Sequence, residues 1–172
     1  MAEKLLVDGY NVLHHSRKLL RLVRQDMETA REALIDKVAH YCIQTGHQVT
    51  IVFDGQGAQV VQRVEHYRSV PGLEVLYAPG QLTADAVIER MVYQTPRKMD
   101  VAVVTSDRGV RDLCRGMGAL VMDANNFLQS IQDSRADAGE TVRNTQKPAP
   151  VNVEDRLDER SRSILEQLRK KL

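Results

Sequence analysis

Aromatic side chains are scarce in this sequence, which has no tryptophan, two phenylalanines and five tyrosines in 172 residues. We therefore do not expect an RNA-binding sheet that stacks several bases on exposed aromatic rings. No apolar run is long enough to cross a bilayer, and the first residues, MAEKLLVDGYN, lack the apolar segment of a signal peptide. The sequence thus predicts a cytoplasmic protein with no membrane partner.

Cysteine and excess charge are also nearly absent. Cys42 and Cys114 stand apart in apolar segments and form no CxxC pair, so neither a zinc site nor a redox site is indicated. The formal net charge is +1, so any affinity for nucleic acid has to come from local basic patches. The sequence has neither a GxGxxG motif nor a P-loop, and dinucleotide or nucleoside triphosphate binding is therefore not favoured.

Five short apolar segments alternate with segments of helical periodicity, and this alternation predicts an α/β fold with a parallel sheet. Strands are predicted at residues 4–8, 48–53, 73–77, 100–104 and 119–122, and helices at residues 27–45, 83–94, 107–115 and 125–132. Because the strands are apolar throughout, helices should cover both faces of the sheet in a three-layer domain. Residues 59–68 fit either a loop or a short helix.

The C-terminal part of the sequence differs in composition from the rest. Residues 1–133 form the predicted domain, and residues 134–152, with few large apolar side chains, form a predicted linker. Residues 153–172 predict a charged helix with one apolar stripe, made of Leu157, Ile164, Leu165, Leu168 and Leu172. Two interpretations stay open: the helix folds back on the domain, or it docks on a partner or on a second copy in a homodimer.

Acidic residues follow the predicted strands. Asp8, Asp54 and Asp107 end strands one, two and four, Asp85 lies in the first turn of the helix after strand three, and Glu89 lies one turn later. Taken singly, each aspartate is explained more simply as a turn or helix-cap residue. Together they meet at the carboxyl edge of a parallel sheet, where ligands bind. Carboxylates about 4 Å apart repel by roughly 1–4 kcal/mol, so their convergence predicts bound Mg²⁺ or Mn²⁺.

Residues near these carboxylates suit a phosphate-containing substrate. Asn11, Thr105 and Ser106 offer amide and hydroxyl groups beside the predicted metal site. The segment after strand one is basic, and we expect it to hold an RNA backbone through Arg17, Lys18, Arg21 and Arg24. A solvated charged helix face is an equally good explanation of that segment.

Four motifs in sequence order resemble the signatures of a known family. They are Leu6-Val7-Asp8-Gly9-Tyr10-Asn11-Val12, Val52-Phe53-Asp54-Gly55, Thr83-Ala84-Asp85-Ala86-Val87-Ile88-Glu89 and Val104-Thr105-Ser106-Asp107. The chain is similar, over residues 5 to about 132, to the YacP-like NYN-domain family of the PIN-like nuclease group. The resemblance implies a PIN-like sheet of about five strands and divalent-metal endoribonuclease activity. In some bacterial relatives, it further implies cleavage of mRNA on the ribosome.

The resemblance also implies roles for individual residues. Asp8, Asp85 and Asp107 match the catalytic metal aspartates, Asp54 supports them, and Glu89 and Asn11 match positions near the metal. The implied reaction is attack of a metal-activated water on phosphorus, which leaves 5′-phosphate and 3′-hydroxyl ends. Two alternatives stay open. His14 or His15 acts as a base that activates the 2′-hydroxyl of the RNA, or the chain is an RNA- or ribosome-binding adaptor with a weakened or inactive site.

Overall fold

The computed structural model describes residues 4–55, 63–65, 70–141 and 156–169. The strands are β1 (Lys4–Asp8), β2 (Gln48–Phe53), β3 (Arg63–Glu65), β4 (Leu73–Tyr77), β5 (Val101–Val104) and β6 (Leu120–Met122). The helices are α1 (Gly9–His15), α2 (Arg17–Gln25), α3 (Met27–Thr45), α4 (Ala84–Gln94), α5 (Arg108–Gly116), α6 (Ala124–Thr141) and α7 (Glu159–Arg169), with a 3₁₀ turn at Lys98–Asp100.

The strands form one sheet in the order β3-β4-β2-β1-β5-β6. Five of them run parallel, which confirms the predicted α/β fold, and β3 pairs antiparallel with β4 at one edge. Strand order reverses at β1, because the chain runs outward through β2 and β4 and then returns to place β5 on the other side of β1. In open sheets of this kind the ligand crevice lies at the carboxyl end of that reversal point.

The side chains of β1 alternate between two buried cores, one on each face of the sheet. Leu5 and Val7 belong to the core under α1, α3 and α6, and Leu6 belongs to the core under α4 and α5. Both faces are covered, and for that reason the strands are apolar at successive positions. The predicted three-layer arrangement is therefore confirmed.

The helix boundaries follow from side-chain caps. The carboxylate of Asp26 accepts hydrogen bonds from the first amides of α3, and Gly46 ends that helix with a left-handed φ of 74°. Thr83 caps α4 through its hydroxyl. After β1 the chain forms two helices, because Ser16 is extended and caps α2. The basic segment is therefore helical, which is the condition under which its arginines lie on one face.

Two predicted segments are corrected. Helix α6 continues to Thr141 and so occupies the first residues of the predicted linker. Among the described side chains of this extension the buried one is Ser134, which is small and polar like Ser130 one turn earlier, and these two residues hid the helical periodicity. Their hydroxyls bond to carbonyls of their own helix and are buried at low cost. Strand β3 lies inside the segment predicted as loop or short helix. Residues 56–62, 66–69 and 142–155 lie outside the described part of the chain.

The C-terminal residues fold back on the domain along the free side of β6. The amide of Asp158 donates to the carbonyl of Val121 over 3.1 Å, and the hydroxyl of Ser161 accepts from the amide of Val121 over 3.1 Å. Leu157 and Leu165 are buried in the core. The first of the two interpretations of the tail helix therefore describes the structure, although residues 153–155 and 170–172 of the predicted helix lie outside the described ranges.

Two leucines of α7 provide a test of this packing. Leu165 is 8% exposed and Leu168 is 43% exposed. We expect Leu165→Ala to destabilise the protein by about 2–3 kcal/mol, because it removes buried apolar contacts, and Leu168→Ala to change stability by less than about 0.5 kcal/mol. Urea unfolding of both variants measures the difference. A larger loss for Leu168→Ala would instead indicate that α7 docks on a partner or a second copy.

Candidate active site

An acidic pocket of about 300 Å³ opens at the carboxyl ends of β1, β2 and β5. It is lined by Asp8, Tyr10, Asn11, His14, Asp54, Thr83, Ala84, Asp85 and Asp107. The pocket lies where the strand order reverses, as the parallel topology requires. The four aspartates that the sequence placed at this edge are therefore brought to one cavity.

Asp8 is the most deeply placed of these carboxylates, with 7% of its surface exposed. One of its oxygens accepts the amide hydrogen of Asn11 over 3.1 Å, which caps α1, and the other accepts the hydroxyl of Thr105 over 3.3 Å. Burial, and to a lesser degree the nearby charges of Asp85 and Asp54, raise the pKa of Asp8 to about 6, despite these hydrogen bonds. A buried carboxylate next to like charges is a strong attractor for a cation.

The remaining aspartates are held by the starts of two helices. Asp54 accepts the amide hydrogen of Ala84 over 2.6 Å, and this bond joins the end of β2 to the first turn of α4. Asp85 is the next residue, and its pKa is raised by partial burial and by the charges of Asp107 and Asp54. Asp107 caps α5 by accepting the amide hydrogen of Val110 over 3.1 Å. Asp107 therefore caps a helix and also lines the pocket.

Hydrogen bonds between loops fix the position of Asp8. The Asn11 side-chain oxygen accepts the amide hydrogen of Ser106 over 2.9 Å, so α1 is tied to the loop after β5. The Ser106 hydroxyl donates to Asp123 over 2.9 Å. Thr105 is fully buried, and its hydroxyl links Asp8 to the amide of Asp107. Its hydroxyl faces the protein interior and positions a carboxylate, and the predicted contact of Thr105 with substrate stays a prediction.

Glu89 and the basic residues of α2 lie outside the pocket lining. Glu89 is half-buried, and its charge helps to raise the pKa of the buried thiol of Cys114, after the larger effect of burial. Its predicted place among the metal ligands has no support in the lining. The four cationic side chains of α2 are exposed and form no ion pair within the described ranges: Arg17, Lys18, Arg21 and Arg24.

Arg31 of α3, which was not predicted from the sequence, is 6% exposed and contacts a residue of the pocket lining, Tyr10. Its guanidinium donates two hydrogen bonds to the hydroxyl of Tyr10, over 3.2 and 2.6 Å, and one to Glu28. It lies 5.6–5.9 Å from the ring centres of Tyr10, Phe53 and Tyr77. A cation on three rings is a stable anchor for the pocket wall, and no local sequence pattern connects residues so far apart.

The donor chemistry of the pocket fits a hard divalent cation. Carboxylate oxygens are the preferred ligands of Mg²⁺ and Mn²⁺, and Mg²⁺ keeps several of its waters, so one or two direct carboxylates suffice. Within the ranges that the structure describes, no three acidic, histidine or cysteine side chains are close enough to form a ready-made metal site. Burial, and after it the charges of neighbouring aspartates, nevertheless raise the pKa of both Asp8 and Asp85, and a bound cation would stabilise their ionised forms.

The raised pKa of Asp8 predicts how stability depends on pH without divalent cations. The pKa moves from 3.8 to about 6 on folding, so the folded state holds the proton more tightly. We expect stability to fall as pH rises from about 4 to 6, by up to about 3 kcal/mol, and to change little from this group above that range. Urea midpoints in EDTA measure the slope, and Asp8→Asn should remove it. An unchanged slope in the variant would assign it to other groups.

The sheet order and the acidic pocket at its reversal point define an α/β protein of the PIN-like nuclease fold. The chain belongs to the YacP-like NYN domain family, whose model matches residues 5–170. It is 32% identical over 148 residues to the uncharacterized protein YacP of Bacillus subtilis (strain 168), covering 84% of this chain and 85% of that protein. The predicted family is thereby confirmed.

Solved structures agree with this assignment. A mutant form of Rae1 (YacP) from Bacillus subtilis matches 96% of this chain and 99% of its own, with a TM-score of 0.68 and 27% identity. Another crystal structure of Rae1 (YacP) from that organism matches 81% of this chain and 79% of its own, with a TM-score of 0.62 and 28% identity. The first of these matches covers 96% of the chain, so it includes most of the C-terminal part.

Proposed function

We propose that this protein is a divalent-metal-dependent endoribonuclease that hydrolyses phosphodiester bonds of RNA, with mRNA on the ribosome as its substrate. The observation that supports the proposal is the convergence of Asp8, Asp54, Asp85 and Asp107 on one pocket at the reversal point of a PIN-like sheet. Membership of an NYN-domain family supports the same class of reaction. No helix in the described part of the chain is long and apolar enough to cross a membrane.

The residues of the pocket divide the work between binding and positioning. Asp8 and Asp85 are the carboxylates whose ionised forms most need a cation, and with Asp107 they would hold Mg²⁺ or Mn²⁺. Such an ion lowers the pKa of water and neutralises charge on a phosphate in reaction. Asp54 orients the start of α4, and Asn11 keeps the loops after β1 and β5 together. The geometry of the carboxylates therefore depends on bonds that are present before substrate binds.

His14 supports a second mechanism. It lines the pocket, and its Nδ1 lies 2.7 Å from the carbonyl oxygen of Tyr10. A carbonyl only accepts, so Nδ1 carries the hydrogen, and in the neutral ring Nε2 has a free electron pair that can take a proton. This base could activate a 2′-hydroxyl of RNA without a metal. His15 bonds in the same way to Asn11 but does not line the pocket, so the histidine alternative reduces to His14.

The basic residues of α2 supply the proposed hold on RNA. Helix α2 follows α1 after the single residue Ser16, so its exposed cations begin next to the helix that carries His14 into the pocket. Phosphate contacts from lysine and arginine give affinity without sequence preference. Binding to the ribosome, a cytoplasmic location and a homodimer stay proposals. For a homodimer, Leu168 is the most exposed leucine of the apolar stripe among the described residues of α7.

An RNA- or ribosome-binding adaptor is the competing function. An adaptor would bind RNA through its cationic surface and would not cleave it in the pocket. The pocket holds four carboxylates, and burial and neighbouring carboxylates raise the pKa of two of them, Asp8 and Asp85. Keeping these charges together is costly in a protein that only binds a polyanion. This cost favours the enzyme.

The test is cleavage of a long mRNA by the purified protein with Mg²⁺, Mn²⁺ or EDTA, each with and without translating ribosomes. We expect cleavage with Mn²⁺ or Mg²⁺, none in EDTA, and products with 5′-phosphate ends. Products with 2′,3′-cyclic phosphate ends that form in EDTA would establish the His14 mechanism instead. RNA binding with no cleavage under any of these conditions would establish the adaptor.

A further inference from the structure

Cationic side chains from three helices meet on one surface of the α2–α3–α6 layer. Helix α3 packs against both α2 and α6. Lys37 of α3 is half-buried there, and its pKa is lowered first by burial and then by the positive charges of Arg135 on α6 and Lys18 on α2. Lys18 and Arg135 are exposed. We name these three residues the three-helix cluster.

The members of the three-helix cluster form no ion pair within the described residues. Asp133 of α6, two residues before Arg135, is paired with Arg156. The charges that act on Lys37 are both positive, although Asp36 precedes it in the chain. Three cations thus share a surface at a cost in free energy that a bound anion would offset.

We propose that the three-helix cluster is a second RNA-binding site, which holds a phosphate of the backbone away from the acidic pocket. The identification of the anion as RNA rests on the proposed function, whereas the site itself rests on the arrangement of the cations. Lys18 also belongs to α2, whose cations lead toward His14 and the pocket. The cluster therefore extends the basic surface of α2 across α3 to α6, so that a longer strand is held than the pocket alone could contact.

The surroundings favour a nucleic acid over an acidic protein. Protein interfaces are centred on buried apolar and aromatic anchors. The large apolar side chains that are exposed in the described residues are Ile43, Leu82, Tyr93, Leu113 and Leu168. None of them lies on α2 or α6, and the one on α3, Ile43, stands six residues after Lys37 near the end of the helix. Cations without an apolar centre are typical of surfaces that contact phosphates.

The experiment measures binding of a single-stranded RNA, long enough to reach from the pocket to α6, by the full chain in EDTA at several salt concentrations. Lys37→Gln and Arg135→Gln are compared with wild type and with Arg90→Gln. Arg90 is an exposed cation of α4, on the opposite face of the sheet, so this control removes the same charge elsewhere. We expect both cluster variants to bind RNA several-fold more weakly. The slope of log affinity against log salt should become shallower by about 0.7 for each.

Wild-type affinity and slope in both cluster variants would overturn the proposal, as would an equal loss in Arg90→Gln. Arg135 is exposed, so its variant gives an answer even where Lys37→Gln fails to fold. The binding experiment and the cleavage experiment can fail independently of each other. If the wild-type protein never cuts RNA but the cluster variants lose salt-dependent binding, the cluster stands and the nuclease fails. If RNA is cut and the slopes do not change, the nuclease stands and the cluster fails.

Discussion

Asp85→Asn should reduce metal-dependent RNA cleavage by at least about a hundredfold, the usual effect of removing one group that stabilises reaction charge. We expect the same variant to be as stable as the wild-type protein or more stable. Cleavage is measured with saturating Mn²⁺, and stability by urea unfolding in EDTA. Loss of function with a gain in stability is the combination that distinguishes a site carboxylate from a structural one.

The reason lies in the contacts that Asp85 makes. Asp8 and Asp107 each cap a helix, so their replacement affects folding as well as chemistry. Asp85 stands in the first turn of α4, whose cap is supplied by Thr83 and whose first amide is bound by Asp54. Its pKa is raised by burial, Asp107 and Asp54, which means that its charge opposes folding at neutral pH. Asparagine removes that charge and keeps the shape.

Asp112→Asn is the matched control for this variant. Asp112 is an exposed carboxylate in the middle of α5, outside the pocket lining, and it is paired with Arg115. We expect its replacement to leave cleavage unchanged and to cost less than about 1 kcal/mol, as exposed ion pairs do. Equal loss of cleavage in both variants would point to a general effect of charge. Full activity of Asp85→Asn would remove this residue from the metal site and favour a mechanism centred on His14.

The convergence of the aspartates was predictable because it follows from topology alone. In a parallel sheet all carboxyl ends lie at one edge, so residues that follow β1, β2 and β5 have to meet. Asp8, Asp54 and Asp107 needed only a correct assignment of strands, and Asp85 needed a correct helix start. Glu89 shows the limit of this reasoning. It shares a helical face with Asp85 by spacing, but one further turn of α4 takes it outside the pocket lining.

Other features depend on contacts that no local pattern encodes. The hydroxyl of Thr105 turns inward to Asp8 because β5 lies beside β1, and the sequence showed only a hydroxyl next to an aspartate. Arg31 is one of several charged residues of α3 and would be expected at the surface. Folding brings it under three aromatic rings from α1, β2 and β4. The burial of Arg31 can be predicted only when the aromatic residues that it contacts are known.

Gly9→Ala should be strongly destabilising, although alanine is the better helix former and Gly9 begins α1. An ideal methyl group at this position would lie 2.3 Å from Cε1, 2.5 Å from Cδ1 and 2.9 Å from Cζ of Phe53. The ring cannot easily move away, since it is fully buried, meets Tyr10 edge-on and stacks on Tyr77. We expect a loss of about 3 kcal/mol, the upper part of the usual cost of overpacking.

The same clash should also lower cleavage, because Gly9 joins Asp8 to Tyr10 and any shift of α1 moves both of these pocket residues. Phe53→Leu provides the decisive comparison. It removes part of the ring that the new methyl group meets. The double variant should therefore lose less stability than the two single variants lose together, by more than about 1 kcal/mol. Gly116→Ala is the control, because a methyl group there would have no neighbour within 4 Å. If the stability losses of Gly9→Ala and Phe53→Leu simply add, the requirement for glycine at the start of α1 does not come from contact with the Phe53 ring.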